Sequence, residues 1–248
     1  MLATLPLPIY FLIGGLISIF LPKGVIKSSF VCFVPVVALI ALLNGAWDDG
    51  FTVQFLDLEL NFMRVDELST VFGIIFCIAA FLGNVFAFHL RESTQPFVAL
   101  IYAGAAIGAV FAGDLITLFV YWELTAISSV FLIWARKTEG AYHAGMRYLI
   151  IQVLSGVVLL FGVALFYFDT GSISFVKMEL TSLATVLIFI AFGIKCAFPF
   201  MHNWLQDSYP SATITGTVIL SAFTTKLAVY ALARGFPGTE LLIYIGAA

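Results

Sequence analysis

Apolar runs dominate the chain. They fall at residues 5–21, 30–47, 66–88, 97–113, 114–134, 144–168, 181–200 and 210–234, and a further run opens near Leu241. A stretch of about 20 mostly apolar residues is long enough to cross the hydrocarbon core of a bilayer as a helix. Lipid offers backbone N–H and C=O groups no hydrogen bonds, and a helix satisfies them within itself. The pattern predicts an all-α integral membrane protein of about eight transmembrane helices plus the start of a ninth. Composition agrees, because only 10% of residues are charged, against about 25% in soluble domains. Acidic residues outnumber basic ones, 14 to 11, and no basic patch invites a nucleic acid.

Basic residues between the spans set the orientation. Lys23, Lys27, Arg91, Arg136, Lys137 and Arg147 fall on one side, and Arg64, Lys177 and Arg234 on the other. Short cytoplasmic loops carry the excess of Lys and Arg. The first side is therefore cytoplasmic, with the N-terminus outside. Asp48, Asp49, Asp57, Glu59, Asp66 and Glu67 crowd an outer loop near 48–65. Within it Leu56, Leu58, Leu60 and Phe62 alternate with polar residues, a period that suits one arm of a β-hairpin lying over the helix ends. No basic segment precedes the first run and no small-residue cleavage site follows it, so that run reads as a retained helix. Cys32, Cys77 and Cys196 sit singly in apolar runs without metal-ligand spacing, and no metal site is expected.

Three ionisable residues break the apolar pattern, and each must be compensated. A charge at mid-bilayer costs about 2.5–3.5 kcal/mol on insertion scales, so such residues face the bundle interior and tend to mark transport paths. Glu123 lies inside the fifth span, followed by Ser128 and Ser129 as polar contacts. Lys195 lies in the seventh, four residues before Pro199. A helical proline lacks an N–H and crowds the carbonyl four residues back, so the seventh helix should break at the level of the lysine. Broken helices at membrane depth line cavities. Lys226 is mid-span in the eighth run after Thr224 and Thr225, whose hydroxyls offer a polar relay. His202 follows the break and suits proton transfer at a channel mouth, or an interfacial position beside Trp204. For each of the three charges the plainer alternative is a structural role in helix packing. No soluble-type catalytic motif is present.

Tyr121-Trp-Glu-Leu124, the Lys195 to Pro199 segment running into His202-Asn-Trp-Leu205, and Ser221-Ala-Phe-Thr-Thr-Lys226 resemble the antiporter-like membrane subunits of respiratory complex I, the Mrp cation/proton antiporters and the membrane-bound hydrogenases. Met63-Arg-Val-Asp66 and Tyr209-Pro210 share the likeness, whereas Gln206 stands where the family usually has a proline. The resemblance implies proton or cation/proton translocation without a bound cofactor. It assigns Glu123 as partner of Lys195, with Lys226 passing protons onward. It also implies three N-terminal helices over residues 1–96, a five-helix channel repeat over 97–238, and a truncated ninth helix over 239–248. Family members have about fourteen helices in two inverted repeats, so the chain matches the N-terminal half. The expected partners are other membrane subunits, including a companion chain that supplies the remaining helices. The ions are protons or, alternatively, sodium, and the location is a prokaryotic plasma membrane. Such a protein would have no catalytic site of its own, whether its complex is redox-driven or exchanges cations. The rival readings are a structural half-subunit that conducts nothing alone and a quinone-binding redox subunit.

Overall fold

A computed structural model describes residues 5–45, 51–56, 58–90 and 94–247. Asp48, Asp49, Asp57 and Arg91 lie outside the described residues. The helices are α1 (Leu7–Phe20), α2 (Val25–Asn44), α3 (Glu67–Phe86), α4 (Thr94–Phe111), α5 (Leu115–Trp134), α6 (Glu139–Thr170), α7 (Leu183–Cys196), α8 (Asn203–Ser208), α9 (Ile214–Gly235) and α10 (Leu241–Ala247). Strands β1 (Thr52–Phe55) and β2 (Leu58–Asn61) pair antiparallel. Among the described residues six helices, α2 to α6 and α9, are long and apolar enough to span a membrane. The runs at 5–21 and 181–200 yield helices of only 14 residues, α1 and α7, and so fall short of the eight full spans expected. The second helix begins earlier than its apolar run and draws in Lys27, which is buried. The fold remains that of a multi-pass membrane protein.

Local chemistry explains where the helices begin. The first four N–H groups of any helix lack internal partners. Asp66 and Ser69 form a capping box on α3, and Ser182 and Thr185 form one on α7. Asp114, Thr138 and Thr213 accept from the first turns of α5, α6 and α9. Each cap falls near the start of an apolar run, so the polar residues there serve the helix ends.

The innermost helix is α4, which packs against α1, α3, α5 and α9. Its Ala103-Gly-Ala-Ala106 and Gly108-Ala109 stretches let neighbours approach closely, as small residues do between membrane helices. The Tyr121 ring of α5 lies so near Gly108 that an added Cβ would stand 2.4 Å from it.

One end of the bundle is tied together by the hairpin. Asn61 N–H donates to Asp114 Oδ2 at 2.7 Å, and Asn61 carbonyl accepts from Gly113 at 2.9 Å. Arg64 donates to the Phe175 carbonyl at 2.8 Å, while Arg234 of α9 donates to Asp66 at 2.7 Å. Burial raises the Asp66 pKa, but hydrogen bonds from Arg234 and Ser69 and the Arg234 charge outweigh it and hold the carboxyl down at about 2. This clasp joins α3, the α4–α5 turn, the α6–α7 connection and α9.

Candidate functional site: a buried lysine at the end of α7

The α-helix of α7 stops at Cys196 and resumes only with the short α8. Ala197 takes a left-handed conformation with φ 62°. Its N–H donates to Ile194 carbonyl at 3.2 Å, and that of Phe198 to Gly193 at 3.0 Å. These are the two bonds of a Schellman closure, although glycine is the usual residue at the left-handed position. Pro199 follows at once and cannot extend the helix. Trp204 of α8 donates its indole N–H to Ile194 carbonyl at 3.0 Å, which pins the returning chain to the helix end.

Lys195 occupies that last turn, where the negative end of the helix dipole favours a cation. It is 0% exposed. Its ammonium donates to the Trp122 carbonyl and to Thr125 Oγ1, both at 2.8 Å and both from α5. It also lies 4.3 Å from the centre of the Trp122 ring, a cation–π contact that strengthens when water is excluded. An ammonium has three N–H donors, so these two bonds leave one without a protein acceptor. Thr125 in turn donates to the Trp122 carbonyl at 2.6 Å. Ser155 of α6 bonds the Trp122 indole at 3.1 Å and the Ala191 carbonyl of α7 at 3.0 Å. Three helices thus close around the lysine.

Glu123 is on α5 beside this centre, and each charge lies in the other's field. They do not form a direct ion pair. Among the described residues, ion pairs within 4.0 Å join Arg64 and Arg234 to Asp66, Arg147 to Asp207 and His143 to Glu139. The Glu123 side chain instead lies against Gly156 of α6, where an added Cβ would stand 1.6 Å from Oε1. That oxygen is buried without a hydrogen-bond partner, as are both amide atoms of Gln152.

The remaining expected residues separate into two groups. Ser129 bonds Tyr148 OH at 2.7 Å, and Thr224 bonds Tyr102 OH, so these two join a buried hydroxyl cluster across α4, α5, α6 and α9. Tyr102 OH donates to the Leu220 carbonyl at 3.3 Å, and so does Tyr209 OH at 3.1 Å. Ser128 bonds only carbonyls of its own helix, those of Leu124 at 2.6 Å and Thr125 at 3.4 Å. Lys226 is exposed on the outer face of α9 and donates to Thr225 Oγ1 at 3.3 Å. His202 is half-buried at the start of α8, with no capping bond from its side chain. The bundle therefore gathers Glu123, Lys195, Ser129 and Thr224 toward its interior and leaves Lys226 and His202 at its margin.

Sequence reasoning missed Thr125, Ser155, Gln152, Gly156, Tyr102 and Tyr148. Gln152 carried a signal, being an amide in an otherwise apolar stretch of the sixth run. The hydroxyl residues carried none, because Ser and Thr in membrane helices commonly bond their own backbone.

The class defined by these features is a multi-helix membrane bundle with a buried lysine at the end of an interrupted helix. The family model for the NADH:quinone oxidoreductase/Mrp antiporter transmembrane segment matches residues 112–245. The chain belongs to that family. It is 31% identical over 200 residues to a Na(+)/H(+) antiporter subunit of Alkalihalophilus pseudofirmus, covering 73% of this chain and 25% of the relative. It is 26% identical to a second Na(+)/H(+) antiporter subunit from the same organism, covering 99% of this chain and 56% of the relative. A chain of respiratory complex I from Thermus thermophilus shares the fold, with a TM-score of 0.80, 22% identity and coverage of 97% of this chain and 55% of that one. The chain thus spans about a quarter and about half of the lengths of the two antiporter relatives.

Proposed function

We propose that this chain carries protons, or exchanges a cation for protons, as an antiporter-like component of a larger membrane complex in a prokaryotic plasma membrane. The observation that carries the reading is Lys195: fully buried, held by a carbonyl and a hydroxyl, and not neutralised by direct contact with a carboxylate. An ammonium held only by neutral groups can release its proton without leaving a carboxylate behind in the same contact. Glu123 stands close enough to bias that step by its charge. When its field is strong the ammonium is favoured, and when it weakens the proton moves on. The buried hydroxyls of Thr125, Ser129, Tyr148, Thr224 and Tyr102 provide polar stations around the lysine. The scheme is electrostatic and uses no bound cofactor.

Lys226 is the onward station in this reading, and its exposure bears on partners. A lysine facing lipid at mid-span would be costly. Beside it, next to the α7 break, runs an open groove of about 510 Å³ lined by Cys196, Ala197, Pro199, Val229, Ala233 and Ile245, among other apolar residues. Further helices, from the same polypeptide or from a companion chain, cover this face in the working complex and receive the proton. The lining of this groove is mostly apolar, which disfavours a quinone head group seated there.

The test is Lys195→Arg in the assembled complex, reconstituted in vesicles with a pH-sensitive dye. A guanidinium keeps the charge but is effectively never deprotonated. Translocation should be lost while assembly persists. Normal transport by the variant would make Lys195 a structural cation and end the relay reading.

A further inference from the structure

Gln152 is completely buried in α6, and none of the described residues forms a hydrogen bond with its amide nitrogen or oxygen. Its position follows from the contacts on either side. Ser155, three residues on, bonds Trp122 of α5, and Tyr148, four residues back, bonds Ser129 of α5. The two helices run antiparallel, so Gln152 stands level with Thr125, which lies between Trp122 and Ser129 and holds the Lys195 ammonium. The α7 side gives the same level. Ser155 bonds Ala191, and Lys195 is one turn further along α7, as Gln152 is one turn back along α6.

Within one turn of α6, from Gln152 to Gly156, the bundle therefore contains four unmet hydrogen-bonding demands. They are the Gln152 nitrogen and oxygen, Glu123 Oε1, and the third N–H of Lys195. A primary amide both donates and accepts, so it can serve a carboxylate on one side and an ammonium on the other. Direct contacts are not made, and buried polar groups of this kind are satisfied by bridging water. Gly156, one turn from Gln152 on the same face of α6, leaves the Glu123 carboxylate room to lie one turn from the amide.

We infer that Gln152 is a positioning residue for proton transfer, its amide holding water that bridges the Glu123 carboxylate and the Lys195 ammonium. The inference rests on the proton-path reading and adds the element that connects two charges lying beyond direct contact. Water held in this way lets the Glu123 charge act on Lys195 and gives the proton a route between them. It also accounts for an amide at a position where an apolar residue would pack at less cost.

The test uses the assembled complex and Gln152→Met, which keeps the side-chain length and removes both polar ends. Transport should fall about tenfold, the equivalent of one lost hydrogen bond, and the pH at half-maximal rate should move by about one unit. Infrared difference spectra on a pH jump should show a water O–H band, sensitive to ¹⁸O-water, in the native complex and not in the variant. Gln152→Asn, which retains the amide, should keep the band and recover part of the rate. Native rate and pH profile in Gln152→Met would overturn the inference, as would a native complex without the water band, a measurement that needs no variant to fold. Lys195→Arg in the same preparation separates the two levels of argument. If it is inactive while Gln152→Met is native, only the role of Gln152 fails. If Lys195→Arg transports normally, the proton-path reading fails with it.

Discussion

Gly156→Ala should separate transport from stability more sharply than any change of a charged residue. The added Cβ would stand 1.6 Å from Glu123 Oε1, 2.5 Å from Cδ and 3.2 Å from Cγ. Real Cβ contacts stay beyond 3.0 Å, so the carboxylate must retreat by at least 1.4 Å or the helices must part. Retreat costs less. Turning a flexible side chain away from its preferred rotamer costs about 0.5–1.5 kcal/mol, whereas overpacking a core costs about 1–3 kcal/mol. Replacing glycine by alanine inside a helix returns about 1 kcal/mol. The fold should thus be nearly unaffected. Function should not be, because a misplacement of about 1 Å can lower a rate about 100-fold. Complexes carrying Gly156→Ala should assemble and melt like the native form, yet acidify or alkalinise vesicles about 100-fold more slowly. Native-rate transport would mean that the placement of the Glu123 carboxylate does not govern the proton step. A large loss of stability with no specific transport defect would show that the helices, and not the side chain, yield.

Further outcomes follow from other parts of the bundle. Asp66 has its carboxyl held below the ordinary value of 3.8, at about 2. A carboxyl depressed in the folded state stabilises it above the unfolded value and ceases to do so as pH falls through the folded one. Melting temperature in detergent should therefore drop between about pH 4 and pH 2, and Asp66→Asn should be less stable at neutral pH and flatter across that window; equal slopes would refute the assignment. Lys226→Cys should react readily with a maleimide in the isolated chain and be protected in the assembled complex. Equal labelling in both would mean that no further helix covers this face of α9.

The sequence by itself determined the class of the protein and the places where its chemistry concentrates. Apolar runs of spanning length leave few alternatives to helices in lipid, because the backbone has no other partner there. The Lys195–Pro199 spacing signalled where the seventh helix would end, since a proline's effect on the carbonyl four residues back is local. The alternation around Leu58 and Leu60 pointed to the hairpin for the same reason. Tertiary structure decided what each polar residue faces. Thr224, Thr225 and Lys226 are consecutive, yet helical rotation turns Thr224 into the hydroxyl cluster and Lys226 out of the bundle. Ser128 and Ser129 divide in the same way between backbone and Tyr148. The place of Gln152 at the level of Lys195, and the dependence of Glu123 on the missing side chain of Gly156, arise from the packing of α5, α6 and α7 on one another. No spacing along a single helix encodes the register between helices, which is set by how their side chains interlock.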